Sequence, residues 1–519
     1  MTNVALSRKD PYTRLAALLF FAWITLMFTT PVGEGDYFWH VKTGQWIWQH
    51  KSLPTSDPFS FTVGGETPPA PDSGRVPFLL KQYWLGQLIF YGLWKLAGPA
   101  GMVLLRAIAY TGILIGLYRF GRRLTTSAST PLLVVLAVGS VLRNYSNERP
   151  QLFAYLLMPL LLALLERLRT ASPGNQLRWP ALFIPLTMFI WGNCHGSFIL
   201  GMVVIGLAAI GILVDDFRQG HRQRLPIMAI LAGGLLAPLL NPNGLGAFQE
   251  FFALAGSYTS QVAEFTSPIR LARQHGVLDY AYWGTVVVTI LVLANNWRRL
   301  ATPHLLLLWA LAGLSLTATR YVPFFMFATP LLCHYAPQWQ NSRLFRFIPL
   351  LLLLLLIGTA NYGNVLKFRE ERAFPAKACQ FLREANPSGN MFNYIGWGGY
   401  LMCYSRYPVF IDGRTLVVDL LPVHNQILAG REWKALLDRY SINFMIIPGT
   451  DAISLQAYPL LLQLLGDSSW ELVYLDEVAL VLIRHAPENQ AIIDRYALAK
   501  EQLTSHIQAR WQWQMANDF

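Results

Sequence analysis

The sequence predicts a polytopic α-helical membrane domain followed by a soluble α/β domain, and three observations carry that expectation. Hydrophobic residues make up 54% of the 519-residue chain and charged residues only 13%, about half the charge of an ordinary soluble domain. The apolar residues fall in runs of about 20, the length that crosses a bilayer as a helix. The charge is also divided unevenly: residues 347–357 carry none, whereas 367–383 are dense with it.

Taken in order, the candidate spans are 14–31, 100–118, 128–143, 150–166, 179–194, 197–214, 225–241, 278–297, 303–319, 321–337 and 346–362, about eleven in all. Arg8, Lys9 and Arg14 precede the first run, as in a signal peptide. No small-residue cleavage site ends that run and many apolar runs follow, so it reads as a retained first span. Residues 84–97 (WLGQLIFYGLWKLA) are amphipathic and aromatic, and fit either an interfacial helix or a further span.

With the N-terminus in the cytoplasm, every inner segment holds at least two basic residues, for example Arg119, Arg122 and Arg123, then Arg167, Arg169 and Arg178, then Arg298 and Arg299. The short outer connections hold few, which is the positive-inside pattern. An odd number of spans then puts the C-terminal domain outside. This topology accounts for the net charge of +12. The basic residues form no stripe among polar ones, which argues against nucleic acid as a partner.

The domains are drawn as 1–365, membrane-embedded with a large first outer loop (32–83), and 366–519, soluble. The second should contain helices at 373–385, 423–439 and 454–465, and a long polar helix from 488 to about 515. Strands are expected at 390–394, 408–411, 443–447 and within 471–483, giving a small α/β domain with a mostly parallel sheet. None of the four cysteines has CxxC spacing. Cys379 and Cys403 share the soluble domain and can pair if it meets an oxidising compartment.

Candidate chemistry gathers on the outer side. Asp36 lies a few residues beyond the first span, at headgroup depth, where a half-solvated carboxylate suits a general base. It also fits an ordinary interfacial turn, with Tyr37 and Trp39 in the aromatic belt. Asp57 reads as a second acid or as the turn-former of an Asp-Pro pair. Arg149, His195 and Arg320 flank the outer ends of spans. There they suit a lipid phosphate, which Arg grips with two hydrogen bonds, or they snorkel to ordinary headgroups. Asn241-Pro242-Asn243-Gly244 reads as a structural turn. In the soluble domain, Trp397-Gly398-Gly399-Tyr400 and Asp412-Gly413-Arg414 read either as a ligand surface or as turns at strand ends. No metal-ligand spacing is present; no cofactor is called for, and a divalent ion (Mg or Mn) is left open.

Several of these segments together resemble a known group. They are GDYFWHVKTGQWIWQHKSLPTSDPFSFT from Gly35, NERPQLFAYLL from Asn147, WGNCHGSF from Trp191, NPNGLG from Asn241 and NYIGWGGYLMCYSRYPVFIDGR from Asn393. Over about residues 14–483 the chain resembles bacterial membrane proteins similar to the GT-C superfamily of glycosyltransferases. That superfamily includes protein O-mannosyltransferases, the aminoarabinose lipid A transferase and the catalytic subunit of oligosaccharyltransferase. The resemblance implies that Asp36 is the base acting on the acceptor, and that the donor is a sugar on a polyprenyl phosphate or pyrophosphate. It implies that Arg149, His195 and Arg320 bind the donor phosphate. Tyr37, Trp39, His40, Asp57, Trp397, Tyr400, Asp412 and Arg414 become candidates for binding acceptor or sugar. The acceptor would be a glycan, lipid or protein at the outer face of a bacterial inner membrane.

The chain departs from the family pattern in two places. Gly396-Trp397-Gly398-Gly399-Tyr400 lacks the acid of the aromatic-Asp-Tyr-Gly acceptor motif. Glu34 and Asp36 are split by Gly35, where mannosyltransferases pair their acids. Two other classes are weighed against the transferase. A transporter or flippase of an amphiphilic anion would carry polar groups near the midplane and repeated halves, and neither is seen. A non-catalytic membrane assembly protein would tolerate changes at Asp36 and Arg320.

Overall fold

The computed structural model describes residues 11–63, 75–127, 129–171, 175–219, 225–248, 263–275, 279–335, 347–363, 365–366, 374–451 and 456–505, with 508 and 512. By their contacts the residues group into two compact units, Met1–Val32 with Ala97–Phe368, and Gly33–Leu96 with Arg369–Phe519. The sequence-based division assigned the first outer loop to the membrane domain. Its contacts group it instead with the C-terminal residues.

The first unit is helical, and a helix stands in each of the eleven apolar stretches. Three helices among the described residues are long and apolar enough to cross a membrane: Trp84–Leu124, Gln151–Thr170 and Phe198–Gln219. The other apolar helices are shorter, such as Pro11–Met27, Thr302–Thr317 and Ile348–Thr359, so length and apolarity do not establish a count of eleven spans. Leu18, Ile108, Ile210, Ile290 and Leu351 are each more than half exposed, a surface that suits lipid rather than water.

Helix Trp84–Leu124 is two helices. Gly98 adopts φ 58° and ψ −147°, a conformation essentially restricted to glycine, and the ring of Pro99 has no N–H to continue the ladder. The amphipathic residues 84–97 therefore form a helix of their own.

Two polar clusters tie this apolar unit together. Arg106 is buried and paired with Glu148. It donates to the Phe28 carbonyl at 3.0 Å and to Thr30 Oγ1 at 2.9 Å, so it holds the chain leaving the first helix. Elsewhere Arg169 grips Glu166 with two hydrogen bonds of 2.8 and 2.6 Å. His304 Nε2 donates to the same carboxylate at 2.8 Å, and His304 Nδ1 lies 2.8 Å from the Tyr335 hydroxyl. Helices Gln151–Thr170 and Thr302–Thr317 are thereby joined to the 329–335 turn.

The second unit carries a four-stranded sheet: β1 (Asn390–Asn393), β2 (Ile442–Ile447), β3 (Trp470–Leu475) and β4 (Leu480–Arg484), in the order β1-β2-β4-β3. Only β1–β2 is parallel; β2–β4 and β3–β4 are antiparallel, which corrects the expected mostly parallel sheet. The turn between β3 and β4 explains it. Asp476 Oδ1 accepts the Val478 and Ala479 amides at 2.8 Å each, a tight hairpin, whereas a parallel return needs about a dozen residues.

Residues 408–411 are extended but join no strand of this sheet. Val409 pairs with the first-loop segment: its amide donates to the Phe59 carbonyl at 2.9 Å and its carbonyl accepts from Phe61 at 3.3 Å. The expected helix 423–439 is two, Leu420–Leu428 and Trp433–Arg439, parted at Gly430 with φ +70°. The tail helix is likewise broken: Gln490–Tyr496 ends where Ala497 leaves the helical region, and residues 501–505 are helical again. Phe392, Phe410, Met445, Leu461, Trp470 and Leu482 lie in the core of the unit, and Phe61 of the first loop packs on it. Cys379 and Cys403 are free thiols, so the pairing left open by the sequence is not formed, and Cys403 Sγ donates to the Phe38 carbonyl at 3.3 Å.

His424 is fully enclosed in this core. Its Nε2 accepts the Ile395 amide at 3.2 Å, and its Nδ1 donates to Asn425 Oδ1 at 3.1 Å. Burial pushes its pKa down to about 4, against a small upward pull from Asn425. Below pH about 6.5 the unfolded chain takes up a proton that the folded chain refuses until about 4. The stability this histidine contributes is therefore intact above that window and lost as pH falls through it, by about 3 kcal/mol. Hydrogen exchange over 390–397, corrected for intrinsic rate, should lose protection between pH 7 and 4.5, and His424→Gln should flatten that loss. Equal pH dependence in both proteins would remove His424 from the account.

Candidate active site

In the second unit the segments singled out from the sequence converge on Asp36. Asp36 opens helix Asp36–His50, and a helix N-terminus favours an anion. Its carboxylate lies against Gly413: a Cβ there would sit 1.8 Å from Oδ1. The preceding turn is equally tight. A Cβ on Gly35 would meet the Gly396 carbonyl oxygen at 2.3 Å, and one on Gly399 would meet the Gly35 carbonyl oxygen at 2.5 Å. The glycines of the 396–399 and 412–414 turns thus make room for the start of the first-loop helix. Asp36 remains partly exposed.

Next to Gly413 stands a closed ion cluster. Arg414 donates from Nε to Asp412 Oδ1 and from Nη2 to Asp412 Oδ2, both at 2.8 Å. It also donates to both oxygens of Asp57, at 2.7 and 3.1 Å, and to Ser60 Oγ at 3.2 Å. Burial works against its charge, but Asp412 and Asp57 more than offset this and raise its pKa. Arg414, Asp412 and Asp57 were expected to bind acceptor or sugar. Their side chains are buried and bonded to one another, so they close the first loop onto the 412–414 turn. Asp57 also accepts the Ser60 amide at 3.0 Å, so it is the turn-former as well.

Most of the expected aromatic contacts are likewise packing. Tyr37 and His40 are buried against Phe90. Tyr400 is buried and stacks on Phe374 at 5.0 Å and 5°, and Trp397 is buried edge-on to Tyr394. None of these four presents an open ring face. Trp39 differs in one respect. It packs on Gly399, and its Nε1 has no acceptor among the described residues. It follows Asp36 by three residues, on the same helix face.

The three expected phosphate ligands all fall in the first unit and come within electrostatic reach of one another. His195 follows helix Arg178–Cys194. Desolvation pushes its pKa down, and the positive charges of Arg320 and Arg149 push it further. Arg149 Nη1 donates to Glu264 Oε1 at 2.7 Å, and the Arg320 guanidinium lies 4.5 Å from the Phe265 ring. Thr319 fixes the same segment: its amide donates to the Thr266 carbonyl at 3.0 Å and its hydroxyl to the Glu264 carbonyl at 2.9 Å. The NPNG segment is part of this scaffold. Asn241 Nδ2 donates to the Gly192 carbonyl at 2.5 Å, and its Oδ1 accepts the Asn243 amide at 2.7 Å.

The sequence reading missed Glu264, Ser60 and Gly413 as members of these arrangements. Glu264 lay in a loop with no pattern, and Gly413 was visible only as a turn residue. Among the described residues no group of three or more His, Cys, Asp or Glu is placed to hold a metal ion, and the acids flanking Gly413 are spent on Arg414.

No protein-family model matches the sequence, and no curated protein matches it. Solved structures do. The apo oligosaccharyltransferase of Archaeoglobus fulgidus is similar over 85% of this chain and 70% of its own, at 10% identity and a TM-score of 0.55. The oligosaccharyltransferase AglB of the same archaeon, in complex with an inhibitory peptide and a dolichol-phosphate, is similar over 84% and 69% at 10% identity and a TM-score of 0.53. ArnT from Cupriavidus metallidurans, bound to undecaprenyl phosphate, aligns over 92% and 98% at 13% identity and a TM-score of 0.48, too low to argue from. At such identities the likeness shows the fold alone: this chain shares the fold of the Archaeoglobus fulgidus oligosaccharyltransferase.

Arg414→Ala leaves two buried carboxylates facing each other, a change that costs about 3–5 kcal/mol. Exchange protection over 57–62 and 408–414 should collapse, while Arg414→Lys, which keeps the charge but loses the fork, should fall between. Unchanged protection in Arg414→Ala would mean the cluster does not hold the loop.

Proposed function

We propose that this chain is a membrane glycosyltransferase. It moves a sugar from a polyprenyl phosphate (or pyrophosphate) to an acceptor at the extracytoplasmic face of a bacterial inner membrane. The observation that carries the proposal is the seating of Asp36. In a GT-C fold it is the acid at the start of the first helix after the first apolar helix, partly exposed, with Gly413 leaving room for its carboxylate. A related fold holding a dolichol-phosphate and a peptide supports the donor class.

In the proposed reaction the acceptor hydroxyl attacks the anomeric carbon and gives its proton to Asp36. The bond from that carbon to the phosphate oxygen breaks, and the phosphate leaves with the electron pair. Attack from the opposite face inverts the anomeric centre. The leaving phosphate gains charge as the bond breaks, and groups already aimed at it stabilise that charge without reorganising. Arg149 and Arg320 supply positive charge and His195 a hydrogen bond. Asp412 and Asp57 both bond Arg414, so they are not open ligands for a divalent ion.

Against a panel of radiolabelled polyprenyl-phosphate sugars, Asp36→Asn in the full chain should lower transfer by about 10²–10⁴-fold, the usual weight of a general base. Gly413→Ala should do the same by displacing the Asp36 carboxylate, with exchange protection preserved elsewhere. Full turnover in either variant takes Asp36 out of the base role. Single cysteines at 36 and 320 should both react with a membrane-impermeant thiol reagent added from outside. Labelling from opposite sides would exclude a shared donor.

A further inference from the structure

We infer that Ser197 and Trp191 are positioning residues that hold His195 as a neutral imidazole with its proton on Nε2. The group it then offers to the donor phosphate is a directional hydrogen-bond donor rather than a third positive charge. This rests on the proposed function for its purpose, but the tautomer itself rests on local geometry.

The Ser197 amide lies 3.1 Å from His195 Nδ1 and donates to it. A backbone N–H can only donate, so Nδ1 is an acceptor and carries no proton. The Ser197 hydroxyl lies 2.8 Å from the same nitrogen, and its oxygen accepts the indole N–H of Trp191 at 3.0 Å. With that lone pair taken, the hydroxyl proton points to Nδ1. Two donors therefore converge on one ring nitrogen. A proton placed there would face both of them, so the imidazolium is opposed by geometry as well as by Arg149 and Arg320. In the neutral ring the remaining proton is on Nε2.

The relay is rigidly held. Trp191 is fully buried and lies parallel to Phe324, centroids 6.4 Å apart at 11°. The His195 amide donates to the Trp191 carbonyl at 2.9 Å. Gly192 is clamped by Asn241 and packs so closely on Pro238 that a Cβ would meet its Cα at 3.0 Å. The NPNG segment thus fixes the turn that presents the histidine.

The test uses the full chain in detergent micelles and polyprenyl-phosphoglucose, a phosphodiester whose single charge is constant across the pH range. In imidazole-¹⁵N-labelled protein, the signal lost in His195→Gln should show a protonated Nε2 and a bare Nδ1, unchanged from pH 8 to 5.5. Wild-type affinity should stay flat over the same range. His195→Ala should weaken binding by about 10–100-fold, the weight of a hydrogen bond to a charged group. His195→Gln, which keeps a donor near the Nε2 position, should restore most of it, and His195→Lys should not. Ser197→Ala should weaken binding and let His195 titrate. A proton on Nδ1 at pH 7, or rescue by lysine instead of glutamine, overturns the inference. If wild type binds no probe while the tautomer stands, the proposed function fails and the relay does not.

Discussion

A guanidinium withdrawn from water must meet carboxylates or carbonyls, because an unpaired buried charge costs several kcal/mol. That requirement shapes both units. Arg106 meets it with Glu148 and the chain leaving the first helix, and Arg414 meets it with Asp57 and Asp412. Each closes a junction between residues far apart in sequence. Arg414 is adjacent to Gly413, so the lock that satisfies one charge also fixes the backbone against which Asp36 rests. A structural ion cluster and a candidate base therefore share one turn. The geometry at Asp36 is only as firm as the pairing of Arg414.

The helices were legible in the sequence because the bilayer leaves little choice. A segment inside it must satisfy its own backbone and present apolar side chains, so composition alone locates it. The sheet was less legible. The apolar run 408–411 reads as a buried strand, but its partner is in the first loop, and nothing local to Val409 points there. The parallel expectation failed for a similar reason: helix–strand alternation says nothing about how 470–484 folds back on itself, which the Asp476 turn decides.

The site divided along the same line. Asp36 stands out in the sequence because its mark is positional, a carboxylate just past the first apolar helix. Tyr37, His40, Trp397 and Tyr400 are buried, which the sequence does not disclose, because aromatics among glycines look alike in a cleft and in a core. Only burial separates them. The ion pairs of Arg414 were not legible, because Asp-Gly-Arg does not disclose Asp57 across the fold. The relay of Trp191, Ser197 and His195 is different. It lies within seven consecutive residues, in a segment already quoted for its histidine, and went unseen because the cation was sought and its neighbours were not.

The neutral histidine gives the proposed mechanism an electrostatic logic. Arg149 and Arg320 bring two positive charges near His195, and Glu264 on Arg149 removes one of them. Among the described residues these three groups sum to a single positive charge, the complement of a phosphodiester donor carrying one negative charge. A charged His195 would attract the singly charged donor before reaction and the doubly charged product more strongly still. The part of that attraction already present in the ground state does not speed the chemical step. A neutral N–H behaves otherwise. Its hydrogen bond is modest to the bound diester and strengthens as the second charge develops on the departing oxygen. The gain appears where the barrier is, and the spent phosphate monoester is not held by an extra ion pair when it must leave.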